Sequence, residues 1–230
     1  MTQHKIVQDD EEWIAARQEL LIKEKEFSKL RDELTAARQA LPWRKIEKEY
    51  QFESNQGKFN LSDLFAGKSQ LITYHFMYAP GWQDGCKSCS FWADQYDTIN
   101  LHIGQRDVSL AVISRAPWQD FQVFKERMGW QFRWLSSSEN SFNSDFKVSF
   151  PDQDTGFYNY REASVMEELP GLSVFFKDEQ GDIFHTSSCY ARGLDPLNAT
   201  YQMLDLVPSG RNEGDLPFPM AWVNLHDNYA

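Results

Sequence analysis

Hydrophobic residues recur every seven positions through the first segment of the chain, at Trp13, Leu20, Phe27, Leu34 and Leu41, with Ala16, Leu30 and Ala37 three places after three of them. That spacing predicts a helix with an apolar stripe, interrupted at the fourth companion position by Lys23. Glu19, Lys23, Glu24, Glu26 and Lys29 stand at intervals that favour ion pairs along an exposed helix face. Leu41-Pro42 ends the pattern, because proline lacks a backbone donor and disfavours helix in the residue before it. Two uses fit such a helix: packing against its own domain, or serving as an arm that pairs two copies.

From Trp43 the pattern becomes polar and strand-like through Ile46, Tyr50 and Phe52, and a turn at Gly57 leads into a short element that Ser62 could cap. Leu71 to Met77 is an apolar, aromatic and β-branched run of strand length, succeeded by a loop rich in turn residues from Tyr78 to Gly85. Cys86 to about Ile103 reads as a helix, and Val108 to Ser114 as a strand buried on both faces. Pro117 opens a second helix that Gly129 stops, and Phe132 to Leu135 is a short strand. The polar stretch from Ser136 to about Glu168 is too long for a structureless loop, so it either folds back on the core or serves function. Leu172 to Phe176 and Asp182 to Thr186 flank a glycine-containing loop and form a hairpin; Pro196 to Leu206 is the last predicted helix.

The order strand, helix, strand, helix, insertion, hairpin, helix predicts an α/β fold whose sheet begins parallel and ends antiparallel. The expected organisation is a helical extension over residues 1–42 and one α/β domain over 43–230, with an insertion at about 136–168 and a tail from about 208.

Composition narrows the function. With 23 Lys+Arg against 34 Asp+Glu and a net charge of −11, the chain should repel phosphate backbones, which argues against nucleic acid. No stretch matches the apolar length a membrane span needs, and Asp9 to Glu12 occupy the place of a signal's apolar core, so the expected compartment is the cytoplasm. Hydrophobic residues at 41% supply a sizeable core.

The chemistry concentrates at Gly85-Cys86-Lys87-Ser88-Cys89, a Cys-x-x-Cys that comes after a strand and loop and opens a helix. Backbone N–H groups at a helix start stabilise a thiolate, and Lys87 adds a nearby cation. Cys86 then attacks a substrate disulfide and Cys89 resolves the mixed disulfide. The competing reading is half of a tetrahedral zinc site completed by Cys189 and either His75 or His185, but no paired ligand motif supports it, so neither a metal nor a cofactor is expected.

The run from Leu71 resembles the thioredoxin fold, with Cys86 and Cys89 in the place of its redox pair. Gly85 to Asp94, Ser114-Arg115-Ala116-Pro117, Met128-Gly129-Trp130 and Ala191-Arg192-Gly193-Leu194-Asp195 look like a bacterial thioredoxin-like family of unknown function, predicted to be dithiol-disulfide oxidoreductases. The resemblance implies a thioredoxin-like mixed sheet flanked by helices. It also implies a substrate that is a disulfide-containing protein or a small-molecule disulfide. Better-characterised thioredoxins carry tryptophan directly before the first cysteine; here Gly85 stands there and Trp82 lies three residues earlier. Their cis-proline has its nearest counterpart in Pro170, displaced by Gly171. The proline and hydroxyl pattern of peroxiredoxins is not matched between Pro80 and Cys86.

Trp82 and Trp92 offer apolar faces beside the cysteines, and Arg192 would stabilise a thiolate if its segment returns over Cys86. Asp84 and Asp94 are alternative acceptors for the Cys89 proton or simple surface carboxylates, and Cys189 is either a small packed side chain or a resolving or regulatory thiol. The leading expectation is a thiol-disulfide oxidoreductase carried by Cys86 and Cys89, with Trp82, Lys87, Pro170 and Arg192 in support; a homodimer through the N-terminal helix is one of the two uses open to that helix. A thiol peroxidase and a non-catalytic binding or assembly protein are the alternatives.

Overall fold

A computed structural model describes residues 5–229 and divides the chain into two compact units, 1–42 and 43–230. The first is dominated by helix α1, Asp10–Gln39. Asp9 caps it by accepting from the Glu11 N–H at 2.9 Å, and Asp10, Glu11 and Glu12 place negative charge at its positive end. None of its residues is buried.

The second unit is built on an eight-stranded sheet. In chain order its parts are β1 (Arg44–Lys45), β2 (Gln51–Ser54), β3 (Gly57–Asn60), β4 (Gln70–His75), α2 (Lys87–Ala93), α3 (Tyr96–Ile103) and β5 (Val108–Ser114). Next come α4 (Trp118–Arg127), β6 (Arg133–Ser136), α5 (Phe142–Asp145), β7 (Thr155–Tyr158), β8 (Arg161–Ser164), β9 (Gly171–Lys177), β10 (Ile183–Tyr190) and α6 (Ala199–Leu204). The strand order is β1-β10-β9-β4-β5-β6-β2-β3. β4, β5 and β6 run parallel, β9 lies antiparallel beside β4, and β10 pairs antiparallel with the outer side of β9. A parallel strand-helix-strand core, an antiparallel hairpin on its flank and a cysteine pair at the first helix after the central strand make the domain thioredoxin-like.

Each strand's alternation feeds two cores. Tyr74, Phe76, Leu110 and Val112 point to the face that α2, α3 and α4 cover, together with Trp92, Phe121, Phe124 and Trp134. Leu71, Ala111, Ile113 and Phe175 point to the other, where Phe52, Phe65, Phe142 and Phe146 close the layer. Phe142 and Phe146 come from the segment expected to be an insertion. That segment is ordered by α5 and the separate β7-β8 hairpin, and its Val148 and Phe150 form a third small cluster with Tyr158 and Tyr190.

Several boundaries differ from the sequence reading. The helix expected from Cys86 to Ile103 is two helices: Asp94 accepts from the Trp130 indole at 2.8 Å and Asp97 from the Gln131 N–H at 2.8 Å, tertiary bonds that hold the chain at the break. The turn at Leu61–Phe65 is capped by Asn60, not Ser62: Asn60 and Asp63 satisfy each other's backbone N–H groups reciprocally. The final helix starts at Ala199 rather than Pro196, because Pro196 belongs to a 3-10 segment, Ala191–Leu197, and Asn198 caps α6 by accepting from the Tyr201 N–H.

Candidate active site

β4 delivers the chain to the site. Beyond its end the Cys86 N–H donates to the Met77 carbonyl at 3.2 Å, which folds the intervening loop back against the strand. Cys86 is the residue that caps α2, with extended backbone, so its side chain stands at the opening of the helix while its carbonyl accepts from the Ser90 N–H at 2.9 Å. One turn later Cys89 is buried beneath it.

The two cysteines are thiols of opposite character. Cys86, half-buried, is lowered to about 7, first by a hydrogen bond from the Cys89 thiol and then by the N–H groups of Cys89 and Ser88, against the opposing effect of burial. Cys89 is pushed well above an ordinary thiol by burial, and the negative charge of Cys86 raises it further. Two groups partly relieve a Cys89 thiolate: the Tyr74 hydroxyl beside it and the Met77 N–H, which donates to its sulfur at 3.5 Å. The pair therefore sets one sulfur that ionises near neutral pH above one that keeps its proton.

Gly85 explains the missing tryptophan. A Cβ there would stand 2.7 Å from a Phe76 ring carbon and 2.8 Å from a Phe124 ring carbon, so the position before Cys86 admits no side chain without moving the core. Trp82 instead packs, partly buried, against the same core as Cys86.

A cavity of about 640 Å³ opens beside Cys89. Tyr74, Met77, Trp92, Leu194, Tyr201 and Met220 give it apolar walls, and Pro170 and Arg192 also reach it. The Leu169–Pro170 bond is trans, which corrects the idea that Pro170 reproduces the superfamily's cis-proline. Pro170 is held instead through its carbonyl, which accepts from the Tyr158 hydroxyl at 2.8 Å; the hydroxyl oxygen of Tyr158 in turn accepts from the Ala191 N–H at 3.0 Å.

Lys87 and Arg192 each have an oxygen partner elsewhere in the domain. The Lys87 ammonium donates to the Ala221 carbonyl at 3.3 Å, and Arg192, with 91% of its side chain exposed, meets Asp195 at 3.4 Å. Asp84 pairs with Arg127 at 2.9 Å, and Asp94 accepts from Trp130 and from His226 at 2.7 Å, so both flanking carboxylates hold structural bonds.

Cys189 shares the sheet face of Tyr74, two strands away, in register with Leu172. His75 points the other way and stacks on Phe142 and Phe146. Like His185, which packs against the same Phe146, His75 lies across the sheet from the cysteine pair, so the zinc alternative is not assembled. Its Nε2 meets Ser173 Oγ at 2.9 Å, Ser173 meets Ser188 at 2.8 Å, and Ser188 meets His185 at 2.7 Å, a polar chain across three strands.

Sequence reading missed the cavity's far wall. Glu213 accepts from the Tyr201 hydroxyl at 2.9 Å, the Trp222 indole at 2.7 Å and the Met220 N–H at 3.0 Å, gathering the tail over α2. Arg211 lies 3.8 Å over the Tyr201 ring and bonds both Asp205 and Asp195. These partners are far apart in sequence and carry no local periodicity. Tyr74 was accessible to strand alternation, since it points to the face opposite His75.

The domain is similar to several solved structures. Peroxidoxin BcpB from Mycobacterium tuberculosis is 14% identical, covering 71% of this chain and 97% of that one, with a TM-score of 0.47. Peroxiredoxin Q from Xanthomonas campestris is 10% identical over 71% and 94%, with a TM-score of 0.48. A candidate thiol:disulfide interchange protein DsbE from Chlorobium tepidum is 11% identical over 72% and 96%, with a TM-score of 0.42. A search of curated proteins finds no match to the sequence. The family comparison reaches through both units, helical extension and cysteine-bearing domain alike: matching over residues 1–229, the chain belongs to the bacterial protein family of unknown function DUF899.

Proposed function

We propose that the protein is a thiol-disulfide oxidoreductase in which Cys86 attacks and Cys89 resolves, acting in the cytoplasm on a disulfide-containing protein or small-molecule disulfide. The observation that carries the reading is the asymmetry of the pair: a half-buried sulfur at a helix opening, lowered to about 7, above a buried one raised well beyond an ordinary thiol.

The chemistry derives from that asymmetry. The Cys86 thiolate attacks one sulfur of the substrate, forming a mixed disulfide and expelling the other sulfur as a thiolate, which takes a proton from water. The charge on Cys86 is thereby removed, so the electrostatic cost of ionising Cys89 falls; the Met77 N–H and the Tyr74 hydroxyl are in place to stabilise its thiolate. Cys89 then attacks the Cys86 sulfur, releases the second substrate thiolate and leaves a Cys86–Cys89 disulfide. Two electrons pass to the substrate, and an external dithiol restores the pair. The apolar walls beside Cys89 suit the body of a substrate at the mixed-disulfide stage.

Insulin reduction with dithiothreitol tests the reading by comparing wild type with Cys86→Ser. Wild type should accelerate precipitation of the insulin B chain and the variant should not; equal rates remove the oxidoreductase function. Rapid consumption of hydrogen peroxide without insulin reduction would assign the pair to a thiol peroxidase instead.

A further inference from the structure

Helix α1 spans 30 residues, a length of about 45 Å, and along it Trp13, Leu20, Phe27, Leu30 and Leu34 are each at least half exposed. With Trp13 as the first seam position, the heptad places Glu12, Glu19, Glu26 and Glu33 along one flank and Arg17, Glu24, Arg31 and Arg38 along the other. Acidic residues on one side of an apolar seam and mostly basic residues on the other is the arrangement that selects a partner and its direction.

We infer that α1 pairs with α1 of a second copy as a parallel, in-register coiled coil. In that geometry each residue of the first flank meets the residue five places later on the second helix. Glu12 then faces Arg17, Glu26 faces Arg31 and Glu33 faces Arg38 of the other copy. An antiparallel pair would set the acidic flank against itself. The one like-charged match, Glu19 with Glu24, falls in the same turn as Lys23, the charged residue of the seam. In a parallel pair Lys23 packs beside Glu24 of the other copy, and within each helix Arg17 also holds Glu24 at 2.8 Å. The mismatch and the seam lysine therefore offset each other, which a helix packed on an uncharged apolar surface would not require. Because the pairing is two-fold symmetric, every contact occurs twice and the assembly closes at two copies.

The test uses the full chain and two variants: Glu26→Arg with Glu33→Arg, and Arg31→Glu with Arg38→Glu. Sedimentation equilibrium should give wild type twice the chain mass of 26.9 kDa at micromolar concentration. Each variant alone should weaken self-association about tenfold or more, and an equimolar mixture of the two should recover the dimer. The mixture guards against a folding defect, since misfolded chains would not restore each other. A monomeric wild type overturns the inference, as do variants that stay dimeric alone, or a mixture that does not recover.

Discussion

Lys87, the residue immediately after Cys86, donates its ammonium to the carbonyl of Ala221 at 3.3 Å, 134 positions along the chain. That bond ties the start of α2 to the tail. Lys87→Ala should leave the pH midpoint of Cys86 alkylation in place while speeding proteolysis of the segment around Ala221. A clear rise in the midpoint with unchanged proteolysis would return Lys87 to the thiolate.

The thiolate should instead answer to Cys89, whose hydrogen bond is the leading cause of the lowered value at Cys86. In native wild type, alkylation of Cys86 should rise with pH through a midpoint near 7, and Cys89 should stay unlabelled. Cys89→Ala should move that midpoint upward, toward an ordinary thiol. A midpoint that does not move would assign the effect to the backbone N–H groups of the helix opening alone.

Gly85 is fixed by packing. Adding one methyl places it 2.7 Å from Phe76 and 2.8 Å from Phe124, both buried rings. Gly85→Ala should cost about 1–3 kcal/mol in urea unfolding through overpacking, and Gly85→Trp should not yield a folded domain. A neutral Gly85→Ala would mean that the rings yield.

His75 should make stability fall in acid. Burial lowers it from 6.5 to about 3 in the folded domain, so between these values only the unfolded chain takes up the proton. The stabilisation is complete above 6.5 and is lost as pH falls through that window, at about 1.4 kcal/mol per pH unit, or about 2 kcal/mol by pH 5. His185, lowered to about 4, acts in the same direction. Urea unfolding at pH 7 and pH 5 measures the loss; His75→Asn should reduce it, and an identical slope in that variant would refute the assignment.

The parts of the fold that repeat locally were legible in sequence. Heptad spacing marked α1, the apolar runs marked β4 and β5, and the glycine loop marked the β9-β10 hairpin. The site was half legible: a Cys-x-x-Cys after a strand announces itself, because loop, cysteines and helix start are neighbours in the chain. Its surroundings were not. Glu213 and Arg211 act through Tyr201 and Asp195, and nothing in a run of Pro, Gly and acidic residues marks them as a wall. Asn60 outcompetes Ser62 as a cap because Asp63 stands three places after it and returns the bond, a reciprocity that Ser62 lacks. Pro170 misleads through analogy: its place near β9 matches a familiar pattern, while its backbone is held by Tyr158 with an ordinary trans bond.

Tyr74 and His75 are consecutive, yet one belongs to the cysteine face and the other to the phenylalanine face. A one-residue slip of β4 against β5 and β9 would exchange them, setting an imidazole beside Cys89 and a phenol against Ser173. The slipped strand would bring the wrong partner to both faces at once. The two residues together therefore specify the register of the central strand from both of its faces.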